Sequence, residues 1–294
     1  MMAKLDFISA HARAHAIRGL CRALKVARSR YYQWRADAGK RQAGAAAEAA
    51  LVADIERVFK ASRGTYGSPR VHQALRGEGV AISRQRTAKL MKENNIHRKR
   101  RKKRVPRTTD SDHNHRIAPN LLQRNFAALA PDRVWLADIT YCATDEGWLY
   151  LAAIKDMASR EIVGWSMADH LKSSLCESAL AMAILRRDPP AGLIHHSDRG
   201  VQYACKDYRA MLENRGLKAS MSRKGDCYDN APMESFFSSL KTECVHPTRF
   251  ATRNEAKVAL FDYIEIFYNR QRLHSGVGYK TPAQAHAEMT AMAA

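Results

Sequence analysis

Three carboxylates stand out by type and spacing: Asp138, Asp198 and Glu234, with 35 residues between the last two and Asp138 lying 60 residues before Asp198. Asp138 interrupts the apolar run Val134-Trp135-Leu136-Ala137-Asp138-Ile139-Thr140-Tyr141. Asp198 closes His195-His196-Ser197-Asp198, and Glu234 follows Pro232 at the start of a stretch anchored by Phe236, Phe237 and Leu240. An acid inside an apolar strand is costly unless it is paired or bound to metal. Two carboxylates about 4 Å apart repel by about 4 kcal/mol at an effective dielectric near 20, so three that converge call for a cation. All-oxygen ligands suit Mg²⁺ or Mn²⁺ rather than zinc. Two such ions about 3.5–4 Å apart can activate an attacking oxygen and stabilise a leaving one in phosphoryl transfer. Taken singly, Asp198 before Arg199-Gly200 also reads as a turn residue, and Glu234 as a surface helix residue.

The elements that must position these acids are legible as periodicity. Strand-like runs cover Val134–Tyr141, Trp148–Ile154, Ile162–Met167, Leu193–His196 and Leu217–Met221. Helices fit Ser173–Arg187, Lys206–Arg215 before Gly216, and a last long stretch from Asn254 to Tyr268. Three strands, helix, strand, helix, strand, helix predict a mixed sheet of α/β class. Period two places Val134, Leu136, Asp138 and Thr140 on one face. Lys241, seven residues after Glu234, projects from the same helical face, toward a phosphate or the acids; it also reads as an ordinary solvated lysine. Glu243 points the opposite way and is the weaker candidate. One of His195 and His196 could approach the acids or a phosphate, and a structural role at a strand end fits equally well.

The net charge of +20 sits entirely in the first 126 residues, which hold 29 Lys and Arg against 9 Asp and Glu; the remaining 168 hold 20 of each. A basic half joined to a neutral half reads as a polyanion-binding module tethered to something else. The front half offers two helix-turn-helix candidates, one around Ile17–Arg35 and a better one spanning Tyr66-Gly67-Ser68-Pro69 to Asn94. Ser83 is a good N-cap for the second helix of that pair, whose exposed positions include Arg84, Arg86, Lys89 and Lys92. Ala- and Gly-rich residues 39–50 look like a linker. Arg98, Lys99, Arg100, Arg101, Lys102, Lys103 and Arg104 repel one another unless phosphates neutralise them; a localisation tag or a solvated linker are the other readings.

The expected domains are a basic helical segment at 1–48, a helix-turn-helix domain at 49–105, a linker at 106–126 and a core at 127–294 that ends in a helix. No apolar run approaches the roughly 18–20 residues of a membrane span. Met1 to His15 lacks the apolar centre of a secretory signal. Six scattered cysteines without a Cys-x-x-Cys pair suit a reducing cytoplasm.

The runs Trp135–Tyr141, Gly147-Trp148-Leu149-Tyr150-Leu151, His196–Tyr203, Ser222–Phe237 and Tyr268-Asn269-Arg270-Gln271-Arg272-Leu273-His274 together resemble insertion-sequence transposases of the retroviral-integrase superfamily. The nearest resemblance is to the second-frame (OrfB) protein of the IS-three family, over roughly residues 10–285. It implies an RNase H-like core with Asp138, Asp198 and Glu234 as a DDE metal triad, and Lys241 at the family's basic position. It further implies cutting and transfer of DNA strands at element ends, a homo-oligomer on terminal inverted repeats and target DNA, and an upstream first-frame (OrfA) partner or fusion. An RNase H-type nuclease would not need the basic half. A DNA-binding regulator with an inactive core should have lost at least one acid.

Overall fold

The chain is described by a computed structural model covering residues 1–98, 117–123, 130–223 and 227–292. Six helices come first: α1 (Met2–His11), α2 (Ile17–Ala23), α3 (Arg28–Ala36), α4 (Ala38–Ala61), α5 (Ser68–Gly77) and α6 (Arg84–Glu93). Residues 39–50, expected as a linker, lie inside α4. Alanine is the strongest helix former, and the many alanines there outweigh Gly39 and Gly44. The C-terminal half of α4 buries Ile55 and Val58 against Val71 and Leu75 of α5 and Leu90 and Met91 of α6. Ser83 caps α6 as its sequence predicts, its hydroxyl accepting the Arg86 N–H at 3.2 Å.

The sheet consists of β1 (Val134–Thr144), β2 (Gly147–Asp156), β3 (Ile162–Ala168), β4 (Ile194–Ser197) and β5 (Lys218–Met221), in the order β3-β2-β1-β4-β5. The hairpins β1/β2 and β2/β3 are antiparallel; β1/β4 and β4/β5 are parallel. All five strands fall where the sequence predicts them, within a few residues at either end. Helix α7 (Ser173–Arg187) precedes β4, and α8 (Val201–Ala204) and α9 (Lys206–Asn214) cross from β4 to β5. Then come α10 (Ala231–Leu240), α11 (Arg253–Phe261) and α12 (Pro282–Ala291), with π-helical turns at Lys241–Val245 and Asp262–Tyr268.

Alternation along the strands splits the core into two layers. Leu136, Leu149, Leu151 and Ile162 pack with Phe236, Leu240, Leu260 and Phe267 on one side of the sheet. Trp135, Ile154 and Val163 pack with Leu175, Leu180, Tyr208 and Leu212 on the other. This is the mixed α/β architecture expected from the order of elements, and it agrees with the RNase H-like core that the resemblance implies.

Helix α7 lies very close to β3. A Cβ at Gly164 would stand 2.3 Å from the Ala179 carbonyl and 2.7 Å from the Ala183 methyl. Backbone cannot yield as a flexible side chain can, so Gly164→Ala is expected to destabilise the chain by about 1–3 kcal/mol. Urea unfolding of the two proteins measures the difference, and equal midpoints would mean that the α7–β3 approach is looser.

The helical region docks on the core through a small polar knot. The Tyr66 hydroxyl accepts the Leu273 N–H at 2.7 Å and donates to the Gln271 carbonyl at 3.2 Å. Arg63 pairs with Asp262 and lies over the Phe267 ring, and Leu273 packs into the apolar cluster of α4–α6.

Candidate active site

Residue pairing brings two of the acids together. Leu136 of β1 pairs with His196 of β4 in parallel register, and where that pairing ends Asp138, further along β1, and Asp198, the residue after β4, come to line one cavity. Neighbouring strands lie about 4.8 Å apart. Both residues are half-buried and line one cavity of about 380 Å³. Asp138 accepts the Ile139 N–H at 2.7 Å, and Asp198 accepts the Gly200 N–H at 2.9 Å. On the other side of Asp138 the register partner is Ala153, too small to crowd it.

Glu234 arrives from the opposite direction. Met233, Phe236, Phe237 and Leu240 pin α10 to the core and leave Glu234 exposed in its first turn, where the helix dipole favours an acid. Two bonds fix that helix start to the sheet. Asn230 donates to the Ala137 carbonyl at 3.2 Å, next to Asp138, and Lys155 of β2 donates to the Pro232 carbonyl at 3.0 Å. Lys155 is fully enclosed, and burial, with Arg160 and Arg272 nearby, pushes its ammonium down to about 7.

Burial and then the charge of Asp198 push the Asp138 carboxyl well above its ordinary value, with Glu234 adding to the effect. The Ile139 N–H and Lys241 act the other way. Burial also raises Glu234. Among the described residues, no three His, Cys, Asp or Glu side chains stand close enough together to hold a metal ion. Asp138 and Asp198 share the cavity wall, whereas Glu234 is within electrostatic range but off the lining. Two carboxylates on one cavity wall, one of them raised by burial and by its neighbour, are the donor type that suits a hard divalent cation.

Lys241 follows the last residue of α10, with its ammonium 4.7 Å from the centre of the Tyr141 ring on the cavity wall. The helix changes to π register at this residue, a rare departure that recurs at functional sites. Glu243 is no part of the cavity. It is buried, receives Arg272 at 2.6 and 2.8 Å, and accepts the Tyr263 hydroxyl at 2.8 Å.

Both histidines are structural. His195 Nε2 is 3.0 Å from the Tyr208 hydroxyl, and His196 lies 2.8 and 3.1 Å from the Ser220 and Ser222 hydroxyls. Burial lowers them to about 3 and about 4. Unfolding therefore takes up protons once the pH drops below the free value near 6.5, and stability present above that pH is lost as pH falls toward the folded values. Each histidine contributes a slope of up to about 1.4 kcal/mol per pH unit. Urea midpoints at pH 7 and pH 5 should differ accordingly; replacing both histidines should flatten the difference, and an unchanged difference would refute this assignment.

Sequence reasoning passed over the rest of the cavity wall: Ile139, Tyr141, Trp148, Tyr150, Leu171, Val201 and Gln202. The signal was present, because Tyr141 and Tyr150 are register partners in a hairpin that ends at Thr144 and restarts at Gly147. Arg84, Arg86, Lys89 and Lys92 are all exposed on α6, with Arg86 reaching Glu48 at 2.7 Å and Lys89 3.8 Å from Glu93. Arg98 is exposed; Lys99, Arg100, Arg101, Lys102, Lys103 and Arg104 lie outside the described residues.

A five-stranded mixed sheet flanked by helices, preceded by a small helical region, is the setting of these residues. Two family models described as "Integrase core domain" match residues 128–227 and 234–289, and an "HTH-like domain" model matches residues 46–104. An insertion element IS600 protein of 31 kDa from Shigella sonnei is 47% identical over 277 residues, covering 94% of this chain and 100% of that one. The transposase InsF of insertion sequence IS3A from Escherichia coli (strain K12) is 39% identical over 281 residues, covering 96% and 97%. Among solved structures, the chain is similar to a simian T-cell lymphotropic virus intasome (TM-score 0.46, 16% identity, 79% of this chain and 74% of that one). It is also similar to the HTLV-2 integrase catalytic core (TM-score 0.41, 20% identity, 54% and 99%). The chain belongs to the IS3 family of insertion-sequence transposases, enzymes of the DDE transposase/integrase class.

Proposed function

We propose that this transposase cuts and joins DNA strands at the ends of its insertion sequence, with Asp138, Asp198 and Glu234 as ligands of Mg²⁺ or Mn²⁺. The observation that carries this reading is that Asp138 on β1 and Asp198, just past the end of the neighbouring parallel strand β4, line one cavity, with the Asp138 carboxyl raised by burial and by its neighbour. When bound, the metal, as one or two ions, would supply Lewis-acid activation of the attacking oxygen and stabilise charge on the leaving oxygen. The protein's own groups do the rest. Asn230 and Lys155 hold the start of α10, and hence Glu234, against β1 and β2. The Gly200 N–H holds one Asp198 oxygen, and a side chain at 200 would stand 3.0 Å from that oxygen. Lys241, at the cavity edge, suits a DNA phosphate.

The basic helical region would supply most of the affinity for DNA. Within it we assign residues 49–105 to the DNA-reading domain, 1–48 to a second basic segment and 106–126 to a linker into the 127–294 core. Exposed Arg84, Lys89 and Lys92 on α6, and Arg98 after it, are the candidate contacts together with the basic run to Arg104; Arg86 would have to exchange Glu48 for phosphate. Neutralising all seven residues from Arg98 to Arg104 should weaken binding to every sequence alike and flatten the log–log salt slope by up to about six units. A loss confined to one sequence would show that the run reads bases. Assembly of several copies on DNA, and cooperation with a first-frame product, extend the same reading. The place of action in this reading is DNA in the bacterial cytoplasm; among the described residues no helix is long and apolar enough to cross a membrane.

The reaction is tested by incubating the purified chain with DNA carrying the element's ends. Nicking at the ends that needs Mg²⁺ or Mn²⁺ and stops with chelator is the expected result; nicking that continues in excess chelator would refute the metal assignment.

A further inference from the structure

The cavity beside the acids continues into an aromatic part, in which Tyr141 lies under the Lys241 ammonium and Trp148 and Tyr150 have no part in the cutting chemistry. Trp148 and Tyr150 are two residues apart on β2 and so face the same way, and Tyr141 is the register partner of Tyr150. Trp148 meets Tyr141 edge-on, with ring centres 4.8 Å apart, yet it remains 49% exposed. Leu171 and Val201, which also line the cavity, are 40% and 39% exposed, while Trp135 of the same sheet is completely buried. Gln202 joins the segments that carry them by donating to the Leu171 carbonyl at 3.0 Å. The fold therefore holds open, beside two carboxylates, a slot of aromatic and aliphatic surface within a cavity of about 380 Å³.

A phosphate gains nothing from such a wall. A nucleobase does, because each base stacked on an aromatic side chain adds about 1–3 kcal/mol whatever its identity. Bases adjoining a scissile phosphate held at Asp138 and Asp198 lie within reach of the slot, but a base still stacked in a duplex cannot enter it. We infer that the wall formed by Tyr141, Trp148 and Tyr150 binds one unpaired nucleobase of the DNA being cut, next to the scissile phosphate. The inference rests on the proposed reaction in that it takes the acids to mark where the phosphate sits. Unstacking a base costs a few kcal/mol, which the wall offsets in part, so DNA already frayed at the cut is the favoured ligand.

The test uses the full chain in chelator, so that nothing is cut, and a duplex with a short unpaired flap carrying 2-aminopurine. The flap probe should lose emission on binding to the wild type, and a probe in the paired interior should not. Trp148→Ala should abolish the change and weaken binding of the flapped duplex about ten-fold, whereas Trp148→Phe should retain most of both. With an abasic flap, wild type and Trp148→Ala should bind equally. An unaltered flap signal in Trp148→Ala, or an equal loss of affinity for the abasic flap, would overturn the inference. Thermal unfolding shows whether Trp148→Ala is folded, and Tyr150→Leu gives an independent second variant. Cleavage of the same duplex is then measured with Mg²⁺. Flap binding without cleavage would remove the proposed reaction and leave the base site standing; cleavage without the Trp148-dependent signal would remove the base site alone.

Discussion

Asp138→Asn, Asp198→Asn and Glu234→Gln are each expected to lower DNA strand cleavage by at least about 10³-fold while DNA binding persists. Loss of a ligand removes several kcal/mol of charge stabilisation from the transition state, and each 1.36 kcal/mol is a factor of ten in rate. The basic helical region is untouched, and removing a negative charge near the phosphates can only favour binding. For Asp138 the prediction has a second limb. Its carboxyl is raised by burial and by Asp198, so its ionised form opposes folding in metal-free protein. The isosteric Asn removes that charge, and Asp138→Asn should unfold at the same or a higher temperature than the wild type. An inactive variant that is also clearly less stable would point to a packing role instead.

The second large effect lies away from the cavity. Arg272 and Glu243 form an ion pair with side chains 4% and 8% exposed, supported by the Ser239 and Tyr263 hydroxyls. Arg272→Met leaves Glu243 buried with Tyr263 as its remaining hydrogen-bond partner in that group, and should cost about 3–5 kcal/mol. Replacing both partners, Arg272→Met with Glu243→Leu, should recover much of the loss, because a buried pair is worth little against apolar residues of similar volume. Chemical denaturation of the wild type, single and double variants measures this directly. A single variant within about 1 kcal/mol of the wild type would contradict the buried-pair assignment. The pair also joins the π turn after α10 to the segment that receives Tyr66, so its loss should loosen both the frame behind Lys241 and the seat of the helical region.

Much of this is legible in the sequence. Alternation gave the five strands and put Asp138 on the same face as Leu136, and the Pro232–Leu240 pattern gave the helix that carries Glu234. What periodicity cannot give is which strands become neighbours. The β1–β4 pairing that brings Asp138 and Asp198 to one cavity depends on a crossover through two strands and α7. Helix α12 was missed although its start is written in Thr281-Pro282-Ala283-Gln284. There the Thr281 hydroxyl accepts the Gln284 N–H at 3.2 Å, and Gln284 accepts the Thr281 N–H at 3.0 Å. The linker reading at 39–50 gave glycine more weight than the surrounding alanines justify. His195 and His196 show the limit most clearly. Their partners, Tyr208, Ser220 and Ser222, are 13 to 26 residues away, so only the tertiary fold decides that they are structural.

Manganese binding measured by calorimetry on the full chain bears most directly on the three acids. The wild type should bind Mn²⁺, and Asp138→Asn, Asp198→Asn and Glu234→Gln should each weaken that binding. Binding that is unchanged in all three variants, or that depends on Asp138 and Asp198 but ignores Glu234, would contradict a shared three-carboxylate site.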